Sequence, residues 1–237
     1  DSSNGSVAKL INAPVIIVCL GGIGRSIDEI MLNISTFRSA GANVIGVIIN
    51  KVNQDKYEKI NQYVRKGLAR LNINVFGVIP YNNILISPTI HSIIDEFKPQ
   101  ILYSEKKFES LLIQNFIIGD MLPHEALDRI KENTLIIIPG NREGVILTAI
   151  CENLISKNNP LVTAIIFTNG IKPHIRIIEL LKRSDISLFL VDEDAFSVAT
   201  KINTMIVKIQ HTDTEKISTA SKIIKEHVDV EHIYSLM

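Results

Sequence analysis

Short apolar runs alternate with longer amphipathic runs along this chain. Residues 44–49 and 75–79 are rich in Val and Ile, and each run contains a Gly and ends at a polar residue or a Pro. Parallel strands that are covered on both faces have this composition. The residues between the two runs form one apolar helical face, made of Tyr57, Ile60, Val64 and Leu68. The pattern therefore predicts a strand, a helix over 55–71 and a second strand.

The alternation continues on both sides of this unit. Earlier in the chain it predicts a strand at 15–20 and a helix at 27–40. Later it predicts strands with helices between them, at 116–121, 134–140, 161–170, 186–192 and finally 206–210. A last helix is expected from 212 to 228. Such regular alternation predicts an α/β fold with largely parallel sheets.

The charged stretch 104–109 interrupts the pattern because it has no apolar period. We place a domain boundary there, which gives two domains, residues 1–106 and 107–237. A chain of 237 residues is long enough for two domains of ordinary size.

Charge and cysteine content narrow the function classes. The chain has 25 basic and 25 acidic residues and only 5% aromatic residues, which argues against nucleic acid as a partner. No apolar run reaches the roughly 18 residues of a membrane span, and no signal peptide is visible. We expect a cytoplasmic protein in which Cys19 and Cys151 are small buried residues rather than a disulfide or a metal pair. Because the first residue is Asp rather than Met, we also expect a further segment upstream.

The turn GGIGRS at 21–26 joins a strand to a helix and has two interpretations. A P-loop requires G-x-x-x-x-G-K-[ST], whereas here the spacing is shorter and Arg25 stands in place of Lys. Backbone N–H groups around Gly22 and Gly24 can still contact a phosphate. Alternatively, the segment is a tight turn that shapes the junction or a subunit contact, and we favour this interpretation.

Two acidic segments resemble metal sites but have simpler explanations. The sequence HEALD at 124–128 differs from H-E-x-x-H because Asp128 occupies the last position. The run Asp192 to Asp194 suits Mg²⁺, but a helix that is capped by Asp194 explains it as well, and we favour the cap.

Asn50 and Pro80-Tyr81 follow the two strongest strands. Ligands of parallel sheets bind outside the carboxyl ends of the strands. The amide of Asn50 has the paired donor and acceptor that an adenine edge requires, and the ring of Tyr81 can stack on the base. The alternative is an Asn cap beside a strand that ends at Pro.

Two turns of the C-terminal half form a second set of candidates. Asn141 and Arg142 join a strand to a helix, and Thr168 to Gly170 close the next strand. If these turns face one crevice, Arg142 and the helix N-terminus favour an anion. Tight turns between parallel strands, with Asn141 as the helix N-cap, explain the same residues.

Residues 13–89 resemble the later part of dethiobiotin-synthetase-like P-loop proteins. The resemblance lies in APVIIV, GGIGRSIDEIMLN, GVIINKV, GVIPY and the final PT. This family includes the N-terminal region of some phosphate acetyltransferases, and cobyrinic acid diamide synthases are relatives. The resemblance implies that Asn50, Pro80 and Tyr81 hold the adenine of ATP or of another adenine nucleotide. The Walker A Lys and the metal-binding acids of the family belong to an earlier segment that this sequence lacks.

Residues 108–229 resemble a DRTGG domain, which is regarded as a regulatory or ligand-binding unit and occurs next to such P-loop domains. Its Asp-Arg pair corresponds to Asn141-Arg142, its Thr-Gly-Gly to Thr168-Asn169-Gly170, and its D-T-F turn to Asp194-Ala195-Phe196. The chain departs from the pattern at 141, where the acid is lost, and at 169, where a Gly is lost.

Together these features predict a regulatory or nucleotide-sensing module that is not catalytic alone. We expect it to form a homo-oligomer, with a dimer favoured. One alternative is a fragment of an ATP-dependent ligase or of a phosphate acetyltransferase whose catalytic parts lie elsewhere. Another is a pure assembly domain that pairs through GGIGRS and the helix after it.

Overall fold

The computed structural model describes residues 3–21, 25–156 and 160–237, and it gives only the backbone of Arg25 and Ser26. The chain divides into two units, Asp1–Asn82 with Glu215–Met237, and Asn83–Thr214. The boundary that the sequence suggested at 106–107 falls inside the second unit, and the C-terminal helices group with the first.

The first unit begins with alternating helices and strands. These are α1 (Asn4–Leu10), β1 (Val15–Leu20), α2 (Arg25–Ser39), β2 (Val44–Val52), α3 (Tyr57–Ala69) and β3 (Val75–Pro80). The strands form a parallel sheet in the order β1-β2-β3. The predicted apolar face of α3 packs on this sheet, with Ile60, Val64 and Leu68 buried in one core together with residues of α2.

The second unit contains a larger sheet. Its elements are α4 (Asn83–Ile86), α5 (Ile90–Phe97), β4 (Gln100–Tyr103), β5 (Asn115–Ile118), α6 (Pro123–Arg129), β6 (Thr134–Pro139), α7 (Glu143–Ile155), β7 (Val162–Thr168), α8 (Ile175–Lys182), β8 (Ser187–Leu190) and α9 (Ala195–Thr204). The strand order is β4-β8-β7-β6-β5, and only β4 is antiparallel to its neighbour. The predicted α/β fold with largely parallel sheets is confirmed.

Helices cover both faces of the larger sheet. Because β5 to β8 follow one another across the sheet, their right-handed crossovers place α6, α7 and α8 on the same face. These helices share one apolar core with the sheet. A second core, on the other face, is built with α5 and α9.

Two C-terminal helices, α10 (Thr214–His227) and α11 (Val230–Ser235), complete the first unit. The N–H of Asp229 donates to the carbonyl oxygen of Phe76 in β3 at 2.8 Å. The hydroxyl of Tyr57 donates to the carbonyl oxygen of Val78 at 2.9 Å and lies 3.0 Å from Nδ1 of His227. None of the helices in the described ranges is long and apolar enough to cross a membrane.

Three predictions from the sequence are wrong. Residues 206–210 are not a strand, and Ile206 is 86% exposed. The helix N-cap before α7 is Arg142 rather than Asn141, and its side chain makes no capping bond. Cys151 is exposed on the outer face of α7, whereas Cys19 is buried as expected, and burial raises the pKa of its thiol.

Candidate functional site

The carboxyl ends of β1, β2 and β3 form one edge of the smaller sheet, which we call the first-sheet edge. The carbonyl oxygen of Asn50 accepts the N–H of Gly21 at 2.7 Å. The carbonyl oxygen of Val52 accepts the N–H of Tyr81, also at 2.7 Å. The structure therefore brings Asn50, Pro80 and Tyr81 to the same edge, as the sequence predicted.

The side chain of Asn50 is oriented by its own backbone. Its Oδ1 accepts the N–H of Lys51 at 2.8 Å, which fixes which end of the amide is oxygen. Within the described part of the chain, its NH₂ group has no hydrogen-bond partner, and Oδ1 keeps a second lone pair. A half-buried amide with one free acceptor position and two free donors can pair with a ligand that presents a complementary edge.

Lys51 adopts a conformation that few residues other than glycine adopt. Its φ is +57°, and the register between β2 and β3 shifts between Ile49 and Val52. The left-handed conformation of a residue with a Cβ costs about 1–2 kcal/mol. The extra residue lets β2 present Asn50 and still pair Val52 with Pro80. Sequence reasoning missed this bulge, since nothing in the pattern IINKV marks it.

The ring of Tyr81 offers an aromatic surface. Tyr81 is 36% exposed and follows Pro80, which is half-buried at the end of β3. An exposed aromatic ring and a free amide at the same sheet edge are groups that can hold a flat heterocycle by stacking and hydrogen bonds. Gly22 and Gly24, the other candidates at this edge, lie outside the described residues.

The larger sheet has its own candidate site at the carboxyl ends of β5 and β6. A cleft of about 280 Å³ is lined by residues from Asp120 to Pro123 and from Asn141 to Val145. The guanidinium of Arg142 crosses it, and its Nη2 donates to the carbonyl oxygen of Asp120 at 2.8 Å. Asn141 and Arg142 are both exposed. Residues 120–123 complete this cleft but were not among the site residues predicted from the sequence. They follow β5, a strand whose sequence signal is weak.

Thr168 and Gly170 do not line this cleft. The N–H of Gly170 donates to the carbonyl oxygen of Val191 and that of Asn169 to Glu193, each at 2.9 Å, so their turn pairs with the segment after β8. Because β7 lies on the side of β6 away from β5, the guanidinium of Arg142 points away from this turn. The cleft near Arg142 therefore does not include Thr168 or Gly170, although the two turns touch, since the N–H of Gly140 donates to the carbonyl oxygen of Ile171 at 3.0 Å.

Thr168 is nevertheless unusual. It is fully buried at the end of β7, and among the described residues its Oγ1 has no hydrogen-bond partner. A buried hydroxyl without a partner is costly and calls for an explanation.

The acidic run beside this turn stabilises a helix. Asp194 accepts the backbone N–H groups of Phe196 and Ser197, and Glu193 bonds the ammonium of Lys201 at 2.7 Å. The bond from Lys201 lowers the pKa of Glu193. Among the described residues, no group of three or more His, Cys, Asp or Glu is placed to hold a metal ion. The helix N-cap that the sequence predicted at Asp194 is therefore confirmed.

Known protein families match both halves of the chain. An AAA domain family matches residues 1–89, and the DRTGG domain family matches residues 92–205. The ATP-dependent dethiobiotin synthetase of Clostridium acetobutylicum is 32% identical over 79 residues, which is 33% of this chain and 32% of that enzyme.

Longer relatives match nearly the whole chain. The phosphate acetyltransferase of Nitratidesulfovibrio vulgaris is 25% identical over 98% of this chain, and that of Synechocystis sp. is 23% identical over 99%. The chain spans 34% of the length of each. One similar solved structure contains the CBS and DRTGG domains of the regulatory region of Clostridium perfringens pyrophosphatase, complexed with the activator diadenosine tetraphosphate. Its sequence is 12% identical and the TM-score is 0.44. The match covers 68% of this chain and 77% of that one.

Proposed function

Because the chain consists of a dethiobiotin-synthetase-like AAA region followed by a DRTGG domain and resembles the N-terminal part of phosphate acetyltransferases, we propose that it is a regulatory module that binds an adenine nucleotide. The binding site is the first-sheet edge. Asn50 hydrogen-bonds the edge of the base, and Pro80 and Tyr81 hold its face.

The orientation of the Asn50 amide carries this proposal. Its Oδ1 is fixed by the N–H of Lys51 at 2.8 Å, so the amide presents a donor and an acceptor in a known order. Adenine offers a matching amino donor and ring-nitrogen acceptor, whereas guanine presents an oxygen where adenine has the amino group. The site therefore selects adenine over guanine.

Calorimetric titration with ATP, ADP, AMP and GTP, with and without Mg²⁺, tests the proposal. We expect adenine nucleotides to bind with micromolar affinity, about −8 kcal/mol, and GTP at least tenfold more weakly. Asn50→Ala should weaken binding about tenfold or more, because a bidentate contact contributes about 1–3 kcal/mol. Tyr81→Phe should bind normally, and Tyr81→Ala should not, because stacking contributes about 1–3 kcal/mol per base.

Asn61→Ala is the matched control, since Asn61 lies on α3 and its Oδ1 accepts a hydrogen bond from Nε of Arg65 in the same helix. It should leave nucleotide affinity unchanged. Equal affinity of the wild type and Asn50→Ala for ATP would remove the adenine assignment. A failure of every nucleotide to bind would remove the proposed function.

We further propose that the chain does not hydrolyse ATP alone, because its sequence contains no G-x-x-x-x-G-K-[ST] segment. The second candidate function is that of the N-terminal part of a phosphate acetyltransferase, which is favoured by similarity over 98% of the chain. This candidate requires acetyl transfer between acetyl-CoA and phosphate by a longer polypeptide that contains this chain. Release of phosphate from ATP by the chain itself would favour a ligase instead.

A further inference from the structure

The outer face of α7 carries a stripe of exposed apolar residues. The helix buries Val145, Ile146, Ala149, Ile150 and Asn153 against the larger sheet. The residues on the opposite side are exposed or half-buried, and they are Gly144, Leu147, Thr148, Cys151, Leu154 and Ile155. None of them is charged, and the two charged residues of α7, Glu143 and Glu152, lie at the borders between this side and the buried side. We call this set the α7 face.

This face is unusual for a surface helix, which normally carries charged residues away from the core. Ile155 is 78% exposed and Leu154 is 49% exposed. A helix of 13 residues is about 20 Å long, so the apolar stripe is long enough to pack against another helix.

The neighbouring helices extend the patch. Leu127 of α6 and Leu180 of α8 are also exposed, and both helices share a core with α7 on the same face of the sheet. Exposed apolar residues grouped on neighbouring helices of one sheet face indicate an interaction site. The patch includes no residue of the cleft near Arg142 except Gly144.

The charges on α6 and α8, which flank α7, indicate that a second copy of this chain covers the α7 face. The charged residues of α6 are mostly acidic, and those of α8 and its C-cap are mostly basic. They are Glu125, Asp128 and Arg129 on α6, and Arg176, Glu179, Lys182 and Arg183 on α8. A two-fold axis parallel to α7 places α6 of one copy against α8 of the other, which pairs opposite charges on both sides of an apolar centre. The other two-fold arrangement, perpendicular to α7, opposes like helices and like charges.

We propose that the α7 face is the interface of a homodimer in which two copies of α7 pack in parallel about a two-fold axis. Self-complementary surfaces of this kind are typical of two-fold dimers. The inference does not depend on the nucleotide site.

Cys151 makes the proposed geometry testable. It lies in the middle of the α7 face, and the two-fold axis places it opposite its own copy. Helices pack with axes about 8–10 Å apart and have Cα radii near 2.3 Å, so two Cα atoms that face each other across the axis are about 3.5–5.5 Å apart. The upper part of this range is a separation that a disulfide spans. The other cysteine, Cys19, is buried in the first unit.

The experiment combines sedimentation with mild oxidation. We expect the wild type to sediment as a dimer at micromolar concentration, and copper phenanthroline to convert it to a covalent dimer that Cys151→Ser cannot form. Leu154→Glu places a charge in the interface and should raise the dimer dissociation constant at least tenfold. Leu32→Glu, at a position on α2 that is 68% exposed, is the matched control and should leave it unchanged.

Several results would overturn the proposal. A wild-type monomer at tens of micromolar would show that another occupant covers the α7 face. A dimer that Leu154→Glu does not weaken, or one whose Cys151 residues fail to cross-link, would place the interface elsewhere. Circular dichroism of each variant separates loss of the dimer from loss of the fold, and cross-linking of the wild type needs no variant that could misfold.

Discussion

At the scale of single residues, Asp194 shows how a local pattern fixes a structure. Its Oδ1 accepts the N–H groups of Phe196 at 2.9 Å and Ser197 at 3.0 Å, and its Oδ2 accepts the hydroxyl of Ser197 at 2.6 Å. The hydrogen bonds from Ser197, together with that from Phe196, lower the pKa of the Asp194 carboxyl because they favour its charged form. The cap therefore stabilises α9 most when the carboxylate is ionised.

We predict that Asp194→Ala lowers the midpoint of thermal unfolding at neutral pH by about 2–4 °C. Asp194→Asn should lower it less, because the amide oxygen still accepts a backbone N–H. The folded-state pKa lies below the ordinary value of 3.8. The contribution of Asp194 is therefore complete above that value and is lost as the pH falls through the folded-state pKa. Calorimetry from about pH 7 to about pH 3 should show the wild type and Asp194→Ala converging only at the acid end; a gap that is independent of pH would contradict the prediction.

Some residue placements at the candidate sites could be predicted from the sequence, and others could not. The Asp194 cap was predicted because a capping residue bonds its own helix within three positions. The placement of Asn50 and Tyr81 at one edge followed from the parallel strands. The left-handed Lys51 and the direction of Arg142 toward Asp120 were not predicted, because they depend on the pairing of strands distant in sequence.

At the scale of elements, burial on both faces made most strands recognisable. Strands β6 and β7 are almost entirely buried, and for this reason their sequences contain unbroken apolar runs. Strand β4 was missed because it is short, antiparallel and at a sheet edge, and half of it is exposed. The segment 206–210 has the same alternation as a strand, but a strand also requires a partner edge.

Gly77 shows how one residue controls the packing of elements. A Cβ at this position would lie 2.5 Å from the carbonyl oxygen of His227 and 2.8 Å from Cγ2 of Val228. The first of these atoms belongs to the backbone and cannot rotate away. Glycine in β3 therefore lets the segment after α10 approach the strand and bridge to it.

We predict that Gly77→Ala destabilises the first unit by about 1–3 kcal/mol, the usual effect of overpacking. Gly67→Ala is the control, because a Cβ there meets only the flexible end of Ile27 at 3.1 Å and Ala favours the helix. Urea unfolding should place Gly67→Ala at or above the wild type and Gly77→Ala clearly below it. Similar midpoints for the two variants would mean that the contact at β3 is not tight.

At the scale of the whole molecule, the two units are not consecutive in sequence. The first takes both ends of the chain, and the second is the continuous segment 83–214. The charged stretch 104–109 suggested a boundary because no local signal shows that β4 pairs with β8, which lies more than 80 residues later. The stretch contains a short 3-10 helix, Lys106–Phe108, that buries Phe108, and it lies within the second unit.

This division predicts the behaviour of two fragments. Residues 83–214 should fold alone, since they contain the complete larger sheet and both of its cores. They should also form the dimer, because the α7 face lies within them. Residues 107–237, the domain that the sequence suggested, lack β4 and α5. They therefore lose Ile90, Ile93 and Phe97 from the second core.

Each of these three side chains contributes about 1.5–3 kcal/mol when fully buried, so their loss approaches the whole stability of a typical domain, about 5–15 kcal/mol. We therefore expect fragment 83–214 to give dispersed amide signals in NMR spectra and one cooperative unfolding transition. Fragment 107–237 should give poorly dispersed amide signals and bind a hydrophobic dye, since the sheet face that α5 covers in the whole chain is exposed in this fragment. If the second fragment unfolds as cooperatively as the first, then the core built by α5 is dispensable and the unit begins near residue 107.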